Sequence, residues 1–168
     1  MDLQSEKRHI TKGPDPGERS RSGTDRLTFH SSQPAEVLER ARAVLQVVLD
    51  HQAPWPTDDE WRIMLPAWFV RACAPEQTQE EGQRWLEHWR SLSPELKAEE
   101  DRTKAWSLTN WVYWFDPQTD AGNRGWFWWD AGVYDSSTGW VEIEVDGHPY
   151  PSGDLRWLLR ACGGVPVD

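Results

Sequence analysis

The chain has 168 residues and a formal net charge of −10, and its length suits a single hydrophobic core. Residues 1–30 hold six basic and five acidic side chains, a net charge of +1, so residues 31–168 carry a net charge of −11. An acidic body of this kind repels nucleic-acid phosphates and anionic membrane surfaces, so we expect neither as a partner. Thirteen tryptophans supply the apolar surface that a core requires.

The first 30 residues mix glycine, proline, serine and charges of both signs without hydrophobic periodicity. This composition is typical of disorder, so we expect residues 1–30 to be a disordered tail and residues 31–168 to be one tryptophan-rich domain. The chain begins without an apolar signal segment, and Cys73 and Cys162 lack metal or disulfide spacing. We therefore expect a cytoplasmic protein with reduced thiols.

Two helices are predicted after this segment. Residues 34–50 repeat apolar side chains every three to four positions, and Pro34 suits a first helical turn. Thr57 begins a capping box that opens a second helix over 58–72. Pro66 interrupts this helix, which either kinks there or stops and restarts.

A second capping box, at Thr78, opens a helix over 78–92 in which Trp85 and Trp89 share one face and are expected in the core. The charged stretch that begins at Ser93 is typical of a short, exposed helix. Further helices are predicted over 107–115 and 153–161.

The strands are predicted near the C-terminus. Residues 125–131 are apolar on both faces, which is typical of a central strand. Residues 140–146 alternate, so Val141, Ile143 and Val145 should point inward. A turn at Asp146 and Gly147 returns the chain for a possible third strand over 148–151. Together, these elements predict a mainly helical α+β domain with a small antiparallel sheet of two to three strands.

The polar side of the alternating strand is the first candidate binding surface. It aligns Trp140, Glu142, Glu144 and Asp146, and an aromatic side chain flanked by acids suits a basic protein partner. Alternating acids are also how a solvated strand is protected from pairing with other chains.

Three further residues are candidates for binding. Asp130 follows an apolar strand and either belongs to a site or pairs with an arginine, for which Arg124 and Arg156 are available. His148 lies near these acids in sequence, and a cluster with Asp130 and Glu144 would suit a metal ion or proton transfer. Trp55 lies in a proline turn, where its indole is expected to be exposed. No catalytic residue, metal site or cofactor is predicted.

Several segments resemble those of a tryptophan-rich bacterial protein family of unknown function. They are LPAWFVRA, NWVYWFDP, RGWFWWDA, VEIEVDG and LRWLLRACGG. The resemblance spans about residues 54–164 and implies a bacterial origin and one domain. It implies no activity and no site residues.

The acidic body and its surplus of aromatic side chains predict a non-enzymatic protein-binding module, for example an immunity-type or antitoxin-like inhibitor of a basic toxin. The alternative is a small-molecule or carbohydrate-binding domain, or a hydrolytic one. In that case exposed tryptophans would stack on the ligand and the carboxylate and histidine cluster would supply polar contacts.

Overall fold

The structure, a computed structural model, describes residues 1–118 and 124–167. Its elements in chain order are α1 (Leu3–Lys12), β1 (Thr24–His30), α2 (Pro34–Asp50), α3 (Asp58–Met64), α4 (Ala67–Ala72), α5 (Gln79–Ser91), α6 (Pro94–Thr103), α7 (Leu108–Tyr113), β2 (Trp126–Val133), β3 (Thr138–Val145), α8 (Gly153–Ala161) and β4 (Val165–Val167). The strands form one antiparallel sheet in the order β2-β3-β1-β4. The expected α+β fold is confirmed. The sheet has four strands, where two to three were predicted.

Helix α2 is the centre of the core and has the bounds that the sequence predicts. Its apolar stripe packs against β2, β3 and α8, and Pro34 occupies the first turn. The buried residues of the stripe are Val37, Leu38, Ala41, Val44, Leu45, Val48 and Leu49.

The helix predicted over 58–72 is two helices. Leu65 adopts an extended conformation that ends α3, and α4 begins after Pro66. A proline ring clashes with the carbonyl four residues earlier, so a continuous helix is disfavoured here. Of the two alternatives left open, the structure has the stop and restart. The capping box at Thr57 is formed as predicted.

Helix α5 lies outside the core, although its capping box at Thr78 and its extent agree with the prediction. No residue of α5 is buried, and Trp85 and Trp89 are half-buried. The expectation that these two indoles lie in the core is therefore wrong. The two indoles stack on each other, with ring centroids 5.4 Å apart. Lys97 of α6 lies over the Trp89 ring, and Lys104, the residue after α6, lies over the Trp85 ring.

The N-terminal 30 residues are not a disordered tail, which corrects the expectation from composition. They form α1 and β1, and β1 lies inside the sheet between β3 and β4. Leu27 and Phe29 of β1 are buried in the core. Two apolar positions among charged residues are too weak a pattern to recognise in the sequence, but pairing on both sides holds the strand.

Strand β2 is an edge strand, so its predicted central position is wrong. Its two apolar faces are both covered, by α1 and by the segment that follows α7. Trp126 packs against Phe115 with centroids 6.1 Å apart, and Trp129 packs against His9 of α1 at 4.6 Å. The Trp128 backbone N–H donates to Glu6 Oε1 of α1 at 2.9 Å. Helix α1 therefore covers this edge of the sheet, which protects it from pairing with another chain.

Strand β3 confirms the predicted alternation, because Val141, Ile143 and Val145 are all buried. The possible third strand over 148–151 does not form. Tyr150 instead anchors this segment, with its hydroxyl donating to Asp25 Oδ2 at 2.6 Å. The additional strands are β1 and β4, neither of which was predicted.

Candidate functional site

The predicted acidic face of β3 is partly buried. Glu144 is only 2% exposed, which corrects its expected exposure. Its Oε1 lies 2.7 Å from the Met1 amino nitrogen, and its Oε2 accepts the Arg21 backbone N–H at 3.3 Å. Burial raises the pKa of Glu144, but the Met1 amino group and a hydrogen bond from Ser20 outweigh it and hold the pKa below its ordinary value.

The rest of that face is paired within the chain. The Arg26 guanidinium donates to Glu142 Oε2 at 2.8 Å and lies 4.1 Å from the ring centroid of Trp140. Asp146 is exposed and accepts the Ser22 hydroxyl at 3.2 Å. Arg26 therefore already contacts both Trp140 and Glu142, which were expected to meet a basic partner. Partner binding at this face stays a prediction.

Asp130 forms no cluster with the other candidates. Its Oδ1 accepts the Ala131 backbone N–H at 2.8 Å. Arg124, one of the two arginines expected to pair with it, instead pairs with Glu6 at 2.5 Å. Arg42 lies close enough to Asp130 for the two charges to interact. Burial lowers the pKa of Arg42 below its ordinary value, and the Asp130 carboxylate opposes this effect only in part.

His148 lies with Tyr150, with ring centroids 5.3 Å apart. In the β2–β3 ladder, Asp130 is opposite Glu142, whereas Glu144 is opposite Phe127. Within the described part of the chain, no three histidine, cysteine, aspartate or glutamate side chains are placed to hold a metal ion.

Trp55 is half-buried rather than exposed. It packs against the buried ring of Trp61 with centroids 4.9 Å apart. A shallow depression of about 220 Å³ lies beside it, with Pro54, Pro56 and Met64 in its wall.

The two cysteines are free thiols, as expected. Burial raises the pKa of Cys73 to about 11 and that of Cys162 to about 12. Thiols with such pKa values are poor nucleophiles.

Two buried acidic groups hold β2 against its neighbours. The Glu6 carboxylate receives two hydrogen bonds from Arg124, at 2.8 and 2.5 Å. Asp154, near the start of α8, is fully enclosed and accepts the Trp126 indole N–H at 3.0 Å. Burial raises the pKa of Asp154 to about 6, against the opposing effect of the Trp126 hydrogen bond.

The strongest candidate site is a concavity on the helical side that no prediction included. We call it the aromatic pocket. It has a volume of about 300 Å³, and its lining consists of Trp85, Lys104, Trp106, Asn110, Tyr113 and Trp114. Aromatic walls with a few polar groups are typical of small-ligand sites.

Three parts of the fold bring these side chains together. Trp85 comes from α5, and Asn110 and Tyr113 from α7. The linker between α6 and α7 supplies Lys104 and Trp106. This linker is fixed by hydrogen bonds because the Trp106 carbonyl accepts the Ala74 N–H at 2.9 Å and the Lys104 carbonyl accepts Arg160 at 2.5 Å.

The rings present edges and faces at different angles. Trp106 and Trp114 are 6.2 Å apart, with planes inclined at 68°. The Lys104 ammonium lies 3.3 Å from the ring centroid of Trp85. Gly153 of α8 lies against Trp106, so that a Cβ there would be 3.3 Å from its ring. Tyr113 is 48% exposed at the rim.

Sequence reasoning missed this site because it placed Trp85 in the core and gave no separate role to Trp106 or Trp114. The available signal was in α5, where Trp85, Leu86 and Trp89 are the only large apolar residues, a narrow stripe among polar and charged side chains. A helix with so narrow a stripe buries little surface and leaves its aromatic rings accessible.

Comparisons with models of protein families, with curated proteins and with solved structures find no match to this chain. Across residues 1–118 and 124–167, no helix has the length and apolar character needed to cross a membrane. The functional argument therefore depends on the geometry of this chain alone.

Proposed function

We propose that this protein is a binding module that takes up a small ligand with a flat ring in the aromatic pocket. The observation that carries the proposal is the convergence of four aromatic side chains around about 300 Å³ of open space. This volume is at the lower end of the range for small-molecule sites and suits a ligand of one ring. Indole faces stack on planar rings and on the apolar faces of sugars.

The lining favours binding over hydrolysis. Its polar members are Lys104 and Asn110, with no carboxylate, histidine or cysteine among the lining residues described. General acid and base catalysis uses such groups within hydrogen-bond reach of the substrate. Both cysteines are free, which supports the further proposal that binding takes place in the cytoplasm, where thiols stay reduced.

The acidic protein-binding module is the weaker candidate. The β3 face that was expected to carry it has Glu142 paired with Arg26 and Glu144 paired with Met1. A partner would have to break these contacts before it could use the carboxylates.

Isothermal titration calorimetry tests the proposal with four probes: benzoate, benzamide, phenyltrimethylammonium and glucose. At least one ring probe should bind the wild type, and Trp106→Ala should weaken that binding about tenfold or more because an indole of the pocket wall is lost. Trp55→Ala removes a half-buried indole outside the aromatic pocket and serves as the control. If no probe binds, or if both variants weaken binding equally, the proposed function is wrong.

A further inference from the structure

Asn110 is a polar lining residue of the aromatic pocket whose side chain is still available for hydrogen bonding. Its backbone N–H donates to Ser107 Oγ at 3.4 Å. Across residues 1–118 and 124–167, no group is hydrogen-bonded to its side-chain amide. The residue is exposed, so a ligand in the pocket can reach this amide. An amide offers two N–H donors and a carbonyl acceptor at once.

Helix α7 holds this amide beside the aromatic rings. Asn110 precedes Tyr113 and Trp114 by three and four positions, so the three side chains share one face of the helix. Trp111 is fully buried, and its indole N–H donates to the Asp154 carbonyl at 3.0 Å. Because α7 is anchored to the core in this way, the amide has a fixed position relative to the rings.

From this arrangement, and resting on the proposed function, we propose that the ligand is an uncharged planar ring with a carboxamide-type edge, in which an N–H donor lies beside a carbonyl acceptor. The ring lies against the indoles of Trp106 and Trp114. The edge forms two hydrogen bonds with the Asn110 amide, one in each direction. Asparagine recognises the neighbouring donor and acceptor of adenine in the same bidentate manner.

The other polar contacts of the pocket agree with an uncharged ligand. The lining residues described include no carboxylate, so a cationic ligand would have no counter-charge there. The Lys104 ammonium lies 3.3 Å from the ring centroid of Trp85. An anionic ligand would have to draw this ammonium away from the ring, whereas a neutral carboxamide leaves it in place.

The test compares four probes that share a phenyl ring and differ in the group attached to it: benzamide, acetophenone, benzoate and benzamidine. Dissociation constants are measured by isothermal titration calorimetry on the full chain. Benzamide should bind most tightly. Acetophenone keeps the ring and the carbonyl acceptor but has no N–H donor, so it should bind about fivefold more weakly. Benzoate lacks the donor and benzamidine lacks the acceptor, so both should also bind more weakly.

Asn110→Asp keeps the shape of the side chain but leaves only acceptors and adds a negative charge. The variant should bind benzamidine more tightly than benzamide, which reverses the preference of the wild type. A residue with a purely structural role would not produce this reversal. An acidic residue is favourable in the first turn of a helix, and far-UV circular dichroism verifies that the helices are intact.

Gln83→Glu is the matched control, because it makes the same change from amide to carboxylate on α5. Gln83 is exposed and is not a lining residue of the aromatic pocket. This variant should keep the wild-type order of affinities, with benzamide the tightest.

The outcomes separate this inference from the proposed function. If acetophenone or a charged probe binds the wild type as tightly as benzamide, the pocket binds a ring but the carboxamide assignment is wrong. If Asn110→Asp still prefers benzamide, or if Gln83→Glu also reverses the preference, Asn110 does not recognise the edge and the assignment fails. If none of the four probes binds, the proposed function fails as well.

Discussion

Replacement of Asp154 by asparagine should remove the part of the pH dependence of stability that arises from the burial of this carboxyl group. The carboxylate is enclosed between α8 and β2, and it accepts hydrogen bonds from the Trp126 indole N–H and the Leu155 backbone N–H. An asparagine has nearly the same shape and keeps one oxygen acceptor for these donors. It stays neutral at every pH, so it has no charged form for burial to penalise.

The magnitude follows from the displaced pKa. Burial raises the pKa of Asp154 from 3.8 to about 6, a difference of about two units, or about 3 kcal/mol. Between these two values the folded protein holds a proton that the unfolded chain has released. The free energy of unfolding therefore falls as the pH rises through this window. About 2 kcal/mol of the change lies between pH 4.5 and pH 7.5.

Urea unfolding followed by tryptophan fluorescence, at pH 4.5 and pH 7.5 and constant ionic strength, measures the effect. Other carboxyls, such as Glu18 with its pKa lowered to about 2, add slopes of the opposite sign at low pH. They are common to both proteins and cancel in the difference. The difference in the free energy of unfolding, asparagine variant minus wild type, should be about 2 kcal/mol larger at pH 7.5 than at pH 4.5. If the two proteins show the same pH dependence, Asp154 is not ionised in a buried environment at neutral pH and the reasoning is refuted.

Three further predictions concern the stability of the fold, each measured by urea unfolding at pH 7.5. Glu6→Gln should lower the free energy of unfolding by about 3–5 kcal/mol, because it leaves the buried Arg124 guanidinium without its counter-charge. A loss below 1 kcal/mol would mean that α1 is not firmly attached to the edge of β2. Gly139→Ala should cost about 1–3 kcal/mol, since the new Cβ would lie 2.3 Å from the buried ring of Phe29. Gly82→Ala in α5 meets no atom within 4 Å and should stabilise the protein by about 0.5–1 kcal/mol. Equal effects of the two alanines would contradict the packing at Phe29.

Sequence alone determined the elements whose signals are local. The stripe of α2 repeats every three to four residues over 17 positions, and only one helix face can bury it. The capping boxes at Thr57 and Thr78 satisfy backbone N–H groups within four residues, so they form whatever the tertiary fold. The alternation in β3 sets which side is inside because a shift by one residue would reverse it.

Tertiary structure decided what depends on partners far along the chain. Strand β1 has a weak pattern and exists because β3 and β4 pair with it, and α1 is held where Glu6 meets Arg124, 118 positions away. Glu144 is a similar case. The alternation of β3 predicts that it faces solvent, but residues from the N-terminal segment cover it. The aromatic pocket is a further case: a tryptophan buries the same apolar ring in a core or in a cleft. Only the placement of α5, the α6–α7 linker and α7 leaves space between Trp85, Trp106 and Trp114.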